Sequence, residues 1–118
     1  MLQLRQAVRE MPVAAAVEEY ALKLVLGTHP NSEYATAEVT QYVMAGASPR
    51  EAQAILLTAK ARALLAGRYN VSFDDIDFVT PAALRHRVAM NFDALSENIT
   101  ADHVIRGLQE EMDGRKTL

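Results

Sequence analysis

The sequence predicts an all-α fold, a small helical bundle, and three observations carry that prediction. Alanine and leucine are abundant while aromatic residues make up only 6%, a composition that favours helices over strands. Apolar residues recur at helical spacing through most of the chain instead of alternating. Start and stop signals bracket those stretches, most densely in GASPREAQAILLTAKARALLAG, residues 46–67. At 118 residues, the span 1–118 reads as one helical domain with a single modest core.

Taken in order, Leu4, Ala7, Val8 and Met11 give a short amphipathic helix that Pro12 stops or bends. A longer helix follows from about Val13 to Leu26, with Val13, Val17, Tyr20, Ala21, Leu24 and Val25 on its buried face, and Gly27 closes it. Gly, Pro, Asn, Ser and Thr then gather in GTHPNSEYATAE, the clearest loop. Val39, Tyr42 and Val43 form a short apolar segment, read as helix, that leads into Gly46.

The central helix has stacked start signals: Ser48 as N-cap, Pro49 at the first helical position, and Glu51 completing an S-x-x-E capping box. Ala52, Ile55, Leu56, Ala59, Ala63 and Ala66 make its stripe. Leu57, Leu64 and Leu65 widen it, predicting cover on more than one side. Gly67 stands where a left-handed C′ residue is wanted. Beyond it, Ser72 with Asp74 and Asp75 starts a helix through Val79, where the dipole favours acids. Thr80-Pro81 reads as the start of another, with Ala83, Leu84, Val88 and Met90 on its apolar side. Residues 91–99 read as loop. Thr100 caps a last helix with Val104, Ile105, Leu108 and Met112 inward, and GRKTL reads as a frayed tail. The sum is a bundle of about six or seven helices with short connections.

Composition also excludes functions. A formal net charge of −3 gives no support to a nucleic-acid or anionic-membrane surface. With no cysteine there is no disulfide, thiolate zinc site or cysteine nucleophile. No apolar run approaches the ~20 residues of a membrane span, and MLQLRQAVRE lacks a signal-peptide pattern. The expectation is therefore a cytoplasmic protein, in which the sequons at Asn70 and Asn98 are chance matches.

Candidate sites are few. No glycine is followed by lysine, so there is no phosphate loop and no self-contained nucleotide site of that type. Asp74, Asp75 and Asp77 lack the glycine and distant glutamate of a calcium loop, and helix-start acids account for them better. His29, His86 and His103 sit on different elements without ligand spacing, so no metal site is expected. Arg85-His86-Arg87 is a positive cluster that reads first as a solvated face paired with acids, with a binding role as the alternative. Arg50 is sharper. A cation in the first helical turn opposes the dipole, so local stability does not select it. It is either a surface arginine bridged to an acid or a planar fork aimed, with the helix N-terminus, at a phosphate. Residue chemistry alone favours neither.

The segment Gly46-Ala47-Ser48-Pro49-Arg50 shifts that balance, because with its companions it resembles the C-terminal helical lid of MoxR-type AAA+ ATPases. The likeness continues through Ala63-Leu64-Leu65-Ala66-Gly67-Arg68, Val71, Asp74-Asp75-Ile76 and Leu84-Arg85-His86-Arg87, and loosely through Tyr20 and Leu24. It spans roughly residues 12 to 112. Thr28-His29-Pro30 departs from the family's Thr-Arg-Pro. The resemblance implies that Arg50 is a sensor-2 arginine reaching the γ-phosphate of ATP, with Ser48 and Pro49 beside it at the nucleotide. It implies a fragment of a longer ATPase whose nucleotide-binding core, absent here, holds ATP and Mg; none is expected to be bound by this stretch alone. It also implies partnership with that core and with neighbouring subunits of a ring, commonly a hexamer. Beyond these lies a client protein, remodelled in chaperone-like fashion or helped to mature a metal cofactor. The rival readings are a non-catalytic helical interaction domain and, from V-S-F-D-D-I, a histone-like DNA-associated module, which the acidic charge disfavours.

Overall fold

The computed structural model describes residues 2–116, with side chains for residues 6–112. Seven helices run in the order α1 (Leu2–Glu10), α2 (Ala15–Leu26), α3 (Ala37–Tyr42), α4 (Glu51–Leu65), α5 (Phe73–Leu84), α6 (Phe92–Ser96) and α7 (Ala101–Lys116). A two-stranded antiparallel ribbon interrupts them, β1 (Val43–Ala45) pairing with β2 (Ala89–Met90). The all-α bundle is therefore observed, with the ribbon as an addition too short to show alternation in sequence.

Helix α4 is central, packing against α5, α2 and α1. Small residues make this possible: Ala52, Ala59 and Ala63 let the neighbouring helices approach, while Ile55 fills the middle, and all four are buried. Val17, Tyr20, Leu24 and Val25 of α2, Leu84 of α5, and Val104, Ile105, Leu108 and Met112 of α7 complete the core as their spacing predicts, joined by Ile76 of α5. Of the residues that widen the α4 stripe, Leu64 packs against the core, while Leu57 and Leu65 are left uncovered by the described residues. Leu57 and Leu65 are 53% and 81% exposed, because no other described element packs on that side.

The end of α4 closes as expected. Gly67 takes φ +80°, which an L side chain resists. The Arg68 N–H then returns to the Ala63 carbonyl at 2.9 Å and the Gly67 N–H to Leu64 at 3.0 Å, the two bonds of a Schellman motif. Thr100 likewise caps α7, its Oγ1 accepting from the His103 N–H at 3.1 Å.

Three expectations are corrected. Thr80-Pro81 starts no new helix, since α5 runs unbroken through Pro81. Thr80 turns its hydroxyl back to the Ile76 carbonyl at 2.6 Å instead of capping forward. Residues 91–99 are not all loop. The Asn91 carboxamide accepts from the Ala94 N–H at 3.0 Å to start α6, and its other end donates to the Gln41 carbonyl at 2.8 Å. Finally, α7 continues through Lys116, so Gly114-Arg115-Lys116 is helical; Thr117 and Leu118 lie outside the described residues, as does the side chain of Leu4.

Candidate functional site at the entry to the central helix

The segment GASPR forms the approach to α4, and it is fastened from two sides. Behind it, β1 pairs with β2 and sets the direction of entry. Beside it lies the turn that follows α2. Thr28 is buried there, donating its hydroxyl to the Val25 carbonyl at 2.6 Å and accepting from the Ala47 N–H at 2.9 Å. The His29 Nε2–H meets the Ala47 carbonyl at 2.6 Å. Gly46 lies so close to this turn that a β-carbon would stand 2.7 Å from the Thr28 carbonyl and 2.8 Å from the His29 ring. Only glycine fits that approach.

Past Ala47 the predicted capping box does not form. Regular α-helix begins at Glu51, with Arg50 at the N-cap position in helical dihedrals and no side-chain cap. Ser48 and Pro49 belong to a tighter turn, closed by the Glu51 N–H on the Ser48 carbonyl at 2.9 Å. The Ser48 hydroxyl accepts a long 3.3 Å bond from the Arg50 N–H, and Glu51 turns away to Arg87 at 3.7 Å. A proline-led i→i+3 turn draws the Ser48 hydroxyl to the nearer N–H and leaves the carboxylate free to find a cation. Ser48, Pro49 and Arg50 are all exposed and adjacent, as a shared contact surface requires.

The electrostatics separate Arg50 from its neighbours. Between residues 50 and 87 the chain has five arginines. Arg62 and Arg68 both bind Asp75, Arg85 binds Asp102 at 3.0 Å, and Arg87 faces Glu51. Among the described residues, the Arg50 side chain meets no acid and makes no hydrogen bond. The positive cluster at residues 85–87 thus follows the bland reading of paired charges for Arg85 and Arg87.

Asp75 does more than start a helix. Its fully buried carboxylate takes a two-pronged grip from Arg68 at 2.7 and 2.8 Å, a bond from Arg62 at 2.6 Å, and the Ser72 N–H at 2.9 Å. Ser72 accepts from the Asp75 N–H at 3.2 Å, so the reciprocal capping box of this chain is here and not at Ser48. The Arg68 fork holds the Asp75 carboxyl far below the usual carboxylate range, against the opposing effect of burial. Arg62 also lies over the Phe78 ring at 4.1 Å. This cluster locks α4 to α5. The acid three residues after Ser72 is the sequence signal for the box, whereas nothing local marks Arg62 as a partner. Among the described residues no group of three or more His, Asp or Glu gathers for a metal. His29, His86 and His103 remain apart, with His103 against Glu38. No helix among the described residues is long and apolar enough to cross a membrane.

The chain as a whole is similar to known proteins. The AAA lid domain family matches residues 35–108. Chaperone MoxR1 of Mycobacterium tuberculosis is 32% identical over 105 residues, covering 89% of this chain and 28% of the relative. The uncharacterized protein YeaC of Bacillus subtilis is 31% identical over 105 residues, covering 87% of this chain and 29% of the relative. A crystal structure of a candidate ATPase from Cytophaga hutchinsonii superposes with TM-score 0.86 at 29% identity, over 92% of this chain and 33% of that one. The chain thus spans under a third of the length of either curated relative it matches.

Proposed function

Since the chain belongs to the AAA lid domain family, we propose that it serves as the lid of a MoxR-type AAA+ ATPase, with Arg50 as the sensor-2 arginine. The observation that carries this reading is the contrast among the arginines. Four of the five between residues 50 and 87 are neutralised by acids within the chain, while Arg50 is presented outward from a fastened turn. Its planar, permanently charged fork can meet two phosphoryl oxygens in two parallel hydrogen bonds. In hydrolysis, charge builds on the γ-phosphoryl oxygens and the leaving group, and a donor already in place stabilises it without reorganisation. Ser48 and Pro49 flank that contact at the nucleotide.

The remaining catalytic parts belong to a core domain outside these residues. No cluster among the described residues suits Mg²⁺, and its ligands would lie on that core. The lid packs on the core and moves as a rigid body when the nucleotide changes, passing that motion round a ring of subunits, commonly a hexamer. The relative named Chaperone MoxR1 supports a chaperone-like role, and the family resemblance extends it to remodelling of a client in the cytoplasm and to maturation of metal cofactors. Leu65 and Phe78, 81% and 68% exposed, suit protein contact, which the lid shares with a purely interaction-making domain. ATP hydrolysis by the core with and without residues 35–108 separates the two. The lid reading expects the core alone to be severely slowed. Equal rates leave only the interaction domain.

A further inference from the structure

Resting on the reading of Arg50 as the phosphate contact, we propose that His29 is a positioning residue for that arginine, acting through the peptide at Ala47. The Arg50 side chain has no anchor among the described residues, so its placement is inherited from the backbone of residues 46–50. That backbone is gripped at one residue. Ala47 gives its N–H to Thr28 and its carbonyl to His29, so two consecutive residues hold both of its polar groups. Thr28 is braced in turn on the end of α2 through the Val25 carbonyl. The contact is intimate as well as polar, because Gly46 leaves no room for a β-carbon against either residue. From Ala47 the tight turn to Glu51 transmits the position to Arg50.

The two clamp residues differ in kind. Thr28 is 1% exposed and part of the packed interior, so its loss would disturb folding. His29 is only partly buried and lines an open groove of about 370 Å³ with Leu26, Pro30 and Met44. Without the imidazole, water in that groove can take over the Ala47 carbonyl, and the fold survives. A water does not fix a peptide as a ring anchored to the chain does. The expected consequence is a mispositioned fork, which lowers turnover more than binding.

The test is a double-mutant cycle in the ATPase that carries this lid on its nucleotide-binding core, reading kcat and KM for ATP. His29→Ala should lower kcat about tenfold, a misplacement effect, with KM within about twofold. His29→Gln, whose amide can still donate to the Ala47 carbonyl, should restore most of the rate. In an Arg50→Ala background, His29→Ala should cost nothing further, because residues acting as one unit are not additive. His29→Phe keeps a ring without the donor and should repeat the His29→Ala result, which covers the case in which the alanine variant does not fold. If the histidine substitutions leave kcat within about twofold of wild type, or cost as much in the Arg50→Ala background, the positioning role is overturned while Arg50 stands. If Arg50→Ala itself leaves turnover unchanged, the underlying reading fails and this inference with it.

Discussion

Gln109 of α7 donates from its side-chain amide to the backbone carbonyl of Asp77 at 2.8 Å, the carbonyl whose helical donor Pro81 lacks. Proline inside a helix normally ends or bends it for want of that bond and by ring clash. Here a side chain from a packed neighbour supplies the missing donor, and α5 runs on to Leu84.

Gln109→Leu should therefore lower stability by about 1 kcal/mol, the ordinary net worth of such a bond. In a Pro81→Ala background the same change should cost little, since alanine at that position brings its own N–H. Thermal melts of the four variants check this. Equal losses in both backgrounds would show that Gln109 acts by packing alone.

Asp75→Asn should destabilise the chain by about 2 kcal/mol, less than for a fully enclosed pair, because Arg62 and Arg68 are each more than a third exposed and so screened. The pH dependence has a definite sign. The folded carboxyl titrates below its unfolded value of about 3.9. Its contribution is thus fully present above that value and is lost as pH falls further. Melts of the wild type should be level from about pH 7 to 5 as far as this group is concerned and decline below about pH 4. Asp75→Asn should flatten part of that decline. An identical acid limb in the two proteins would count against the cluster as described.

Ser72→Ala should cost about 1 kcal/mol, being a true N-cap. Ser48→Ala should cost less than about 0.5 kcal/mol, since its exposed hydroxyl makes one long bond. The reverse order in chemical denaturation would place the working cap at Ser48 after all.

What could be read from the sequence and what could not divides along distance. The stripes of α2, α4 and α7, the Gly67 stop and the Thr100 cap are set by residues within a turn or two, so periodicity and capping chemistry reveal them. The continuation of α5 depends on Gln109, 32 positions beyond the carbonyl it satisfies. The grip on Ala47 joins residues 19 apart, and Arg62 reaches Asp75 across a turn. Strands of three and two residues, and the five-residue α6, are too short for any period. Arg50 is legible as an anomaly against the helix dipole, and the likeness in GASPR gives the anomaly a use. That its neighbours would all find acids needed the fold.

The most direct test of the central claim is steady-state ATP hydrolysis by the core-and-lid protein carrying Arg50→Ala, beside a melt of this chain with the same change. The melt should shift by no more than about 0.5 kcal/mol, as for surface positions generally. Turnover should fall by about 10²–10³, the scale set by removing one donor to transition-state charge. Arg50→Lys should recover only part of it, because an ammonium lacks the planar fork. Turnover within about threefold of wild type, under ~1 kcal/mol, would contradict the claim and leave Arg50 a surface arginine.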